Sequence, residues 1–150
     1  MIPALLTPED YESWLPLWQA NMENSASDEI TAETWRRICD PAFPVGGIGI
    51  RPAEDAPLCG ICHYILHYTT GNLNQVCYMQ DLFIDPAYRR RGLGKILVTY
   101  LAALATAKGW ARLYWLAEGK NEAAQSLYRS IGYKLDFTLH VLPTQNPTAT

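Results

Sequence analysis

The sequence predicts a mixed α+β fold, on three observations. Residues 76–84 form a nearly continuous apolar run with the length and flanks of a buried strand. A glycine turn and a strongly periodic helix follow it directly, and a second short apolar strand, residues 112–116, comes next. Two strands joined by a helical crossover lie parallel in one sheet. Upstream, residues 46–50, 58–68 and 76–84 succeed one another through links rich in turn formers, as antiparallel strands do. The predicted order is β, α, α, three antiparallel strands, α, β, α, β.

Thr7 reads as an N-cap, with Pro8 at the first helical position and Glu9 and Asp10 in the first turn. Tyr11, Trp14, Leu15, Trp18 and Met22 make an apolar stripe. Pro16 falls inside it and should kink or split the helix, at about 3 kcal/mol if uncompensated. Its structural reading is a core-packing helix with a tolerated kink; its functional reading is a bend that shapes an acceptor pocket. A polar loop, residues 24–30, precedes a short helix over residues 31–39, capped by Thr31 and ended by Asp40-Pro41. Gly46-Gly47-Ile48-Gly49 suggests a phosphate loop, but no helix follows it, so it reads as strand. His63 and His67 read as ordinary strand residues, since nothing near them in sequence supplies partners.

Asp85-Pro86 ends the 76–84 strand, because proline offers no ladder N–H. Leu93, Ile96, Leu97, Tyr100, Leu101 and Leu104 then form a single stripe of helical period, closed by Lys108 and Gly109. Such a turn leaves the first helical N–H groups pointing outward at the positive end of the dipole. Glycines let a ligand approach the backbone, so the turn suits a phosphate or diphosphate. Asn121 caps a later helix carrying Ala124, Leu127, Tyr128 and Ile131, which Gly132 ends. Leu135, Phe137, Leu139 and Val141 alternate within residues 134–142, predicting a half-exposed last strand. The tail, residues 143–150, has no periodicity and is expected to fray.

At 150 residues, the chain is read as one domain, residues 1–150, large enough to bury roughly 70% of its unfolded surface. A net charge of −3 argues against a nucleic-acid partner and sits more comfortably with a cationic one. With no basic leader and no apolar stretch long enough to span a bilayer, a soluble cytoplasmic protein without a membrane partner is expected. Cys59-Gly-Ile-Cys62 has metal-site spacing, but in a strand residues three apart face opposite ways, so no metal is expected there.

Arg89-x-x-Gly92-x-Gly94, placed between an apolar strand and an amphipathic helix, resembles the acyl-CoA-binding signature of the GNAT superfamily of N-acetyltransferases. Asn121, Ala124, Leu127, Tyr128, Gly132 and Tyr133 resemble the family's later Asn-x-x-Ala-x-x-Leu-Tyr-x-x-x-Gly-aromatic helix. The resemblance is strong over residues 78–133 and loose before residue 58. It implies a mostly antiparallel central sheet with a parallel, splayed strand pair, flanked by helices. It also implies acetyl-CoA as cofactor, its diphosphate cradled by the backbone N–H groups of Arg90, Arg91, Gly92, Leu93, Gly94 and Lys95, with Arg89 or Arg91 adding charge. The main chain of Leu82, Phe83 and Ile84, on a bulged strand, would meet the pantetheine arm. Asn121 would combine capping with a cofactor contact.

Acetyl transfer from a thioester to an amine needs a polarised carbonyl, a neutral amine and help for the departing thiolate. The motif makes Tyr128 the general acid; without it, Tyr128 reads as a core tyrosine with a satisfied hydroxyl. Gln80 stands where some relatives carry a glutamate, and an amide cannot take a proton. Asp81 is the remaining carboxylate, acting through water or orienting the amine. Alternation sets Gln80 and Asp81 on opposite faces unless a bulge resets the parity. Glu23, Asp28 and Glu29, with Gln80, would line the acceptor site; alone, the acidic residues read as solvated surface.

The resulting expectation is an N-acetyltransferase working by direct attack in a ternary complex. A polyamine-like or amino-acid-like acceptor is favoured over a protein lysine or N-terminus. Dimerisation through the last strand enters by resemblance alone. The rival from another class is a non-catalytic acyl-CoA-binding sensor, which Gln80 favours. A nucleotide-binding domain is disfavoured, because no Walker lysine follows the glycines.

Overall fold

The computed structural model describes residues 1–145, so residues 146–150 of the tail expected to fray lie outside the described residues. Its contacts fall into two compact units, residues 1–118 and the residues from Gly119 onward.

The first unit is a five-stranded sheet in the order β1-β2-β3-β4-β5. These are β1 (Ile2–Leu5), β2 (Val45–Arg51), β3 (Gly60–His67), β4 (Val76–Ile84) and β5 (Leu113–Trp115). Neighbours are antiparallel except β4 and β5, which are parallel, as a helical crossover requires. The helices are α1 (Tyr11–Asn21), α2 (Asp28–Cys39) and α3 (Leu93–Lys108).

Opposite faces of β3 meet different helices. His63 lies against Trp14 and Trp18 of α1, whereas Tyr64 packs on Trp110, just past α3. Under α1 and α2, Leu6, Trp14, Leu17, Trp18, Ile38, Leu58 and Ile61 form one buried cluster. On α3, Leu93, Leu97, Val98, Leu101 and Ala105 are buried, and Gly109 closes the helix with φ 72°. The glycines of β2 serve close packing: a Cβ on Gly46 would lie 2.3 Å from the Tyr64 ring.

The start of α2 needs correction, and of the two outcomes expected at Pro16 the split drops out. α2 begins at Asp28, not at Thr31, because Ser27 Oγ accepts the Ile30 N–H at 3.1 Å and caps the helix. Thr31 is buried inside it and accepts the Trp18 indole N–H at 3.0 Å. Pro16 does not split α1, which runs unbroken across it. Pro16 and Glu12, whose carbonyl the proline ring deprives of a donor, are both exposed, so water can serve that carbonyl.

The second unit contains α4 (Glu122–Ile131), capped by Asn121, whose Oδ1 accepts the Ala124 N–H at 3.1 Å. The strand expected over residues 134–142 does not form, and those residues have no regular secondary structure. Leu135, Phe137, Leu139 and Val141 are exposed. Alternation makes a segment fit to be a strand, but a ladder also needs a neighbouring strand, and the described residues of this unit contain none.

Candidate active site

The site is built around a defect in β4. Opposite β3, His63 pairs with Asp81 and Tyr64 with Met79, so Gln80 is an extra residue without a partner, a β-bulge. Before the bulge, Tyr78 shares Ile65's face, that of α1; after it, Asp81 shares His63's face and Phe83 that of Ile61. The bulge therefore resets the parity. Counting from Tyr78 puts Gln80 on the α1 face, and counting back from Phe83 puts Asp81 there as well.

The same strand opens on its other edge. β5 pairs only with Cys77, Tyr78 and Met79, while β4 continues to Ile84. Past Met79, the edge of β4 away from β3 has no ladder partner among the described residues. Leu82, Phe83 and Ile84 all lie on this splayed portion, and Gln80 there is exposed.

After β4, Asp85 caps a short 3₁₀ turn by accepting the Ala87 N–H at 2.8 Å. Arg90 (φ 63°) and Gly92 (φ 75°) are both left-handed, a conformation from which anion-binding nests of successive N–H groups are built. The first intrahelical bond of α3 runs from Ile96 N–H to Gly92 O, at 3.1 Å. The amides of Leu93, Gly94 and Lys95 thus precede any intrahelical acceptor. A Cβ on Gly92 would meet nothing within 4 Å, so an anion can come directly against this backbone. Leu93's side chain is buried, leaving only its main chain to serve. Arg89 Nε donates to Ile84 O at 2.9 Å, with its guanidinium over Phe83, while Arg91 lies over Tyr88. Outward amides, bare backbone and nearby arginines fit the diphosphate of a CoA thioester.

Beside the bulge lies a polar chain that the sequence did not reveal. Trp14 Nε1–H donates to His63 Nε2 at 2.9 Å, so that nitrogen carries a lone pair and the ring proton sits on Nδ1. Nδ1–H in turn donates to Asp81 Oδ2 at 3.0 Å, and Asn21 Nδ2–H donates to Asp81 Oδ1 at 3.1 Å. Burial works against the charge on Asp81, but its interactions with His63 and the bond from Asn21 outweigh it and hold the carboxyl below its ordinary value. His63 is not an ordinary strand residue. Its partners lie 49 and 18 positions away in sequence. One signal was available: a buried tryptophan needs an acceptor for its indole N–H. His67 is fixed by the same logic, with Nδ1–H on Tyr68 O and Nε2 accepting the Tyr114 hydroxyl at 2.6 Å.

The acidic loop starts close by, since Asn21 ends α1 two residues before Glu23. Glu23 (φ 51°) and Asn24 (φ 57°) turn the chain toward α2. Asp28 and Glu29, both exposed, occupy the first turn of α2, where acidic side chains complement the helix dipole. Asn121 and Tyr128 belong to the second unit. Tyr128 lies half-buried on α4, and its carbonyl accepts the Gly132 N–H at 3.0 Å.

Known proteins resemble this chain in sequence and in fold. Residues 2–133 match the acetyltransferase (GNAT) family. The D-amino-acid N-acetyltransferase of Saccharomyces cerevisiae is 30% identical over 138 residues, 90% of this chain and 86% of the yeast protein. The thialysine N-epsilon-acetyltransferase of Caenorhabditis elegans is 32% identical over 131 residues, 85% of this chain and 79% of its own. Among solved structures, AAC(6')-Iy bound to the bisubstrate analogue CoA-S-monomethyl-acetylneamine superposes with TM-score 0.80 at 16% identity. It covers 97% of this chain and 98% of its own. With the family match spanning most of the sequence and two relatives aligned along most of their length, the chain belongs to the GNAT family of acetyltransferases and is an acyltransferase.

Proposed function

We propose that this enzyme moves the acetyl group of acetyl-CoA to the primary amine of a small cationic molecule, amino-acid-like or polyamine-like, by direct attack in a ternary complex. The observation that carries this is the β4 edge beyond Met79, free of β5, followed by the bare amide turn at Gly92. Acetyl-CoA, when bound, supplies an activated acyl thioester. The amides from Arg90 through Lys95 bind its diphosphate, and the main chain of Leu82–Ile84 pairs with its amide-bearing arm. A main-chain N–H freed by the bulge polarises the acyl carbonyl.

Asp81 and Gln80 face the acceptor side and orient the amine, with Glu23, Asp28 and Glu29 adding negative potential at the entrance. Tyr128 Oη holds a proton for the departing sulfur; a phenol near pKa 10 can donate to a thiolate of roughly 8.5, or simply hydrogen-bond it. The relatives named for D-amino acids and thialysine make amino-acid amines the first candidates.

Mixing the protein with acetyl-CoA and a panel of D- and L-amino acids, ornithine, putrescine and a lysine peptide tests this. Free thiol and N-acetyl product should rise together on a small amine. CoA binding without thiol release on any amine supports the non-catalytic sensor instead.

A further inference from the structure

Asp81 is a half-buried carboxylate held entirely by neutral donors. Its side chain is 17% exposed, and among the described residues no lysine or arginine pairs with it. His63 is only 3% exposed, and its Nε2 accepts the Trp14 indole N–H. Were His63 protonated, its Nε2–H would point at the indole N–H of Trp14 across 2.9 Å, donor against donor. A carboxylate offers about four lone-pair directions, and His63 and Asn21 occupy one on each oxygen. What remains is an ionised group with free acceptor capacity and no counter-ion, beside the splayed edge of β4. Such a charge is complete only with a cation.

We infer that Trp14, His63 and Asn21 are positioning residues that fix Asp81 as the anchor for the ammonium group of the acceptor, before that amine loses its proton. This rests on the acetyltransferase reading above. It also separates anchoring from base catalysis. The hydrogen bonds that fix Asp81 stabilise its charged form and make it a poor proton acceptor, whereas an alkyl ammonium has a pKa of roughly 10. Asp81 draws in and orients the charged amine; the proton leaves to solvent. The acceptor is therefore an alkyl amine, charged at neutral pH, rather than an aromatic amine or a hydroxyl.

The test compares two nucleophiles: the alkyl amine with the highest kcat/KM in the panel, and hydroxylamine, which is uncharged at neutral pH. His63→Leu, Asn21→Ala and Asp81→Asn should each lower kcat/KM for the charged amine roughly tenfold or more, mainly through KM. Hydroxylamine should change less than about threefold in the positioning variants His63→Leu and Asn21→Ala. His63→Asn, which keeps an N–H near the Nδ1 position, should recover most of the loss. Nitrogen-15 shifts of His63 should report the neutral Nδ1–H tautomer in the wild type and its loss in Trp14→Phe.

Equal losses with both nucleophiles, or none, overturn the anchor while leaving acetyl transfer standing. So does an imidazolium or Nε2–H signature for wild-type His63. Should His63→Leu fail to fold, Asn21→Ala at the end of α1 gives the same comparison. If no amine is acetylated at all, the acetyltransferase reading falls, and the anchor with it.

Discussion

His63 and Asp81 face each other across the β3–β4 ladder, Nδ1 lying 3.0 Å from Oδ2. The pairing depends on the bulge. Were the ladder regular through Gln80, that residue would pair with His63, and alternation from Met79 would set Asp81 on the α3 face, away from His63 and Asn21. The irregularity that leaves Gln80 without a β3 partner is thus the same one that delivers the Asp81 carboxylate to the α1 face of the sheet.

Asp81 should leave a trace in acid stability. Burial disfavours its charge, but its interactions with His63 and the bond from Asn21 more than compensate, so its folded value is depressed. A depressed acid stabilises the fold above its unfolded value, about 3.9, and that contribution disappears as pH falls through the lower folded value. Cys62 and Tyr78 nearby are both pushed up by burial and stay neutral in this window. Urea melts from about pH 5 downward should show the gap between wild type and Asp81→Asn closing. A gap that does not change with pH would contradict this.

Thr31 gives a test confined to packing. Its hydroxyl accepts the buried indole N–H of Trp18 at 3.0 Å. Thr31→Val keeps the shape but strands that donor, which should cost on the order of 1–3 kcal/mol in denaturant unfolding. Thr31→Ser should lose clearly less. Equal losses would mean that the methyl, not the hydrogen bond, matters there.

Gly92 tests the anion cradle. Its φ of 75° strains any side-chain-bearing residue, although the space around it is empty. Gly92→Ala should cost about 1 kcal/mol of stability. It should also weaken CoA roughly tenfold, since a methyl group then stands where a phosphate would approach. Calorimetry with CoA reads this directly, and unchanged affinity would move the diphosphate elsewhere.

Tyr128→Phe addresses the proton. Turnover should fall on the order of 10²-fold with CoA affinity nearly intact. An unchanged rate would remove Tyr128 from the mechanism.

What the sequence disclosed and what it hid divide along contact range. The strand at Val76–Ile84, the glycine turn and the helix Leu93–Lys108 were legible almost to the residue, because each is specified by its own neighbours. The sequence makes Thr31 the cap of α2, and only the fold shows that its hydroxyl is committed to the Trp18 indole while Ser27 caps the helix. Residues 134–142 carry a strand's pattern, yet a pattern does not supply a pairing partner. The chain Trp14–His63–Asp81–Asn21 joins α1, β3 and β4, and no spacing along one segment could announce it. A bulge in this strand was expected from resemblance, but only the β3 register places it at Gln80 and shows which face Asp81 takes.

Amide hydrogen exchange with and without acetyl-CoA tests the central claim most directly. Protection should rise at Leu82–Ile84 and at Leu93–Lys95, the splayed strand edge and the bare start of α3, and little elsewhere in residues 1–118. Binding that leaves both segments unprotected would contradict the proposal that this edge and this turn hold the cofactor.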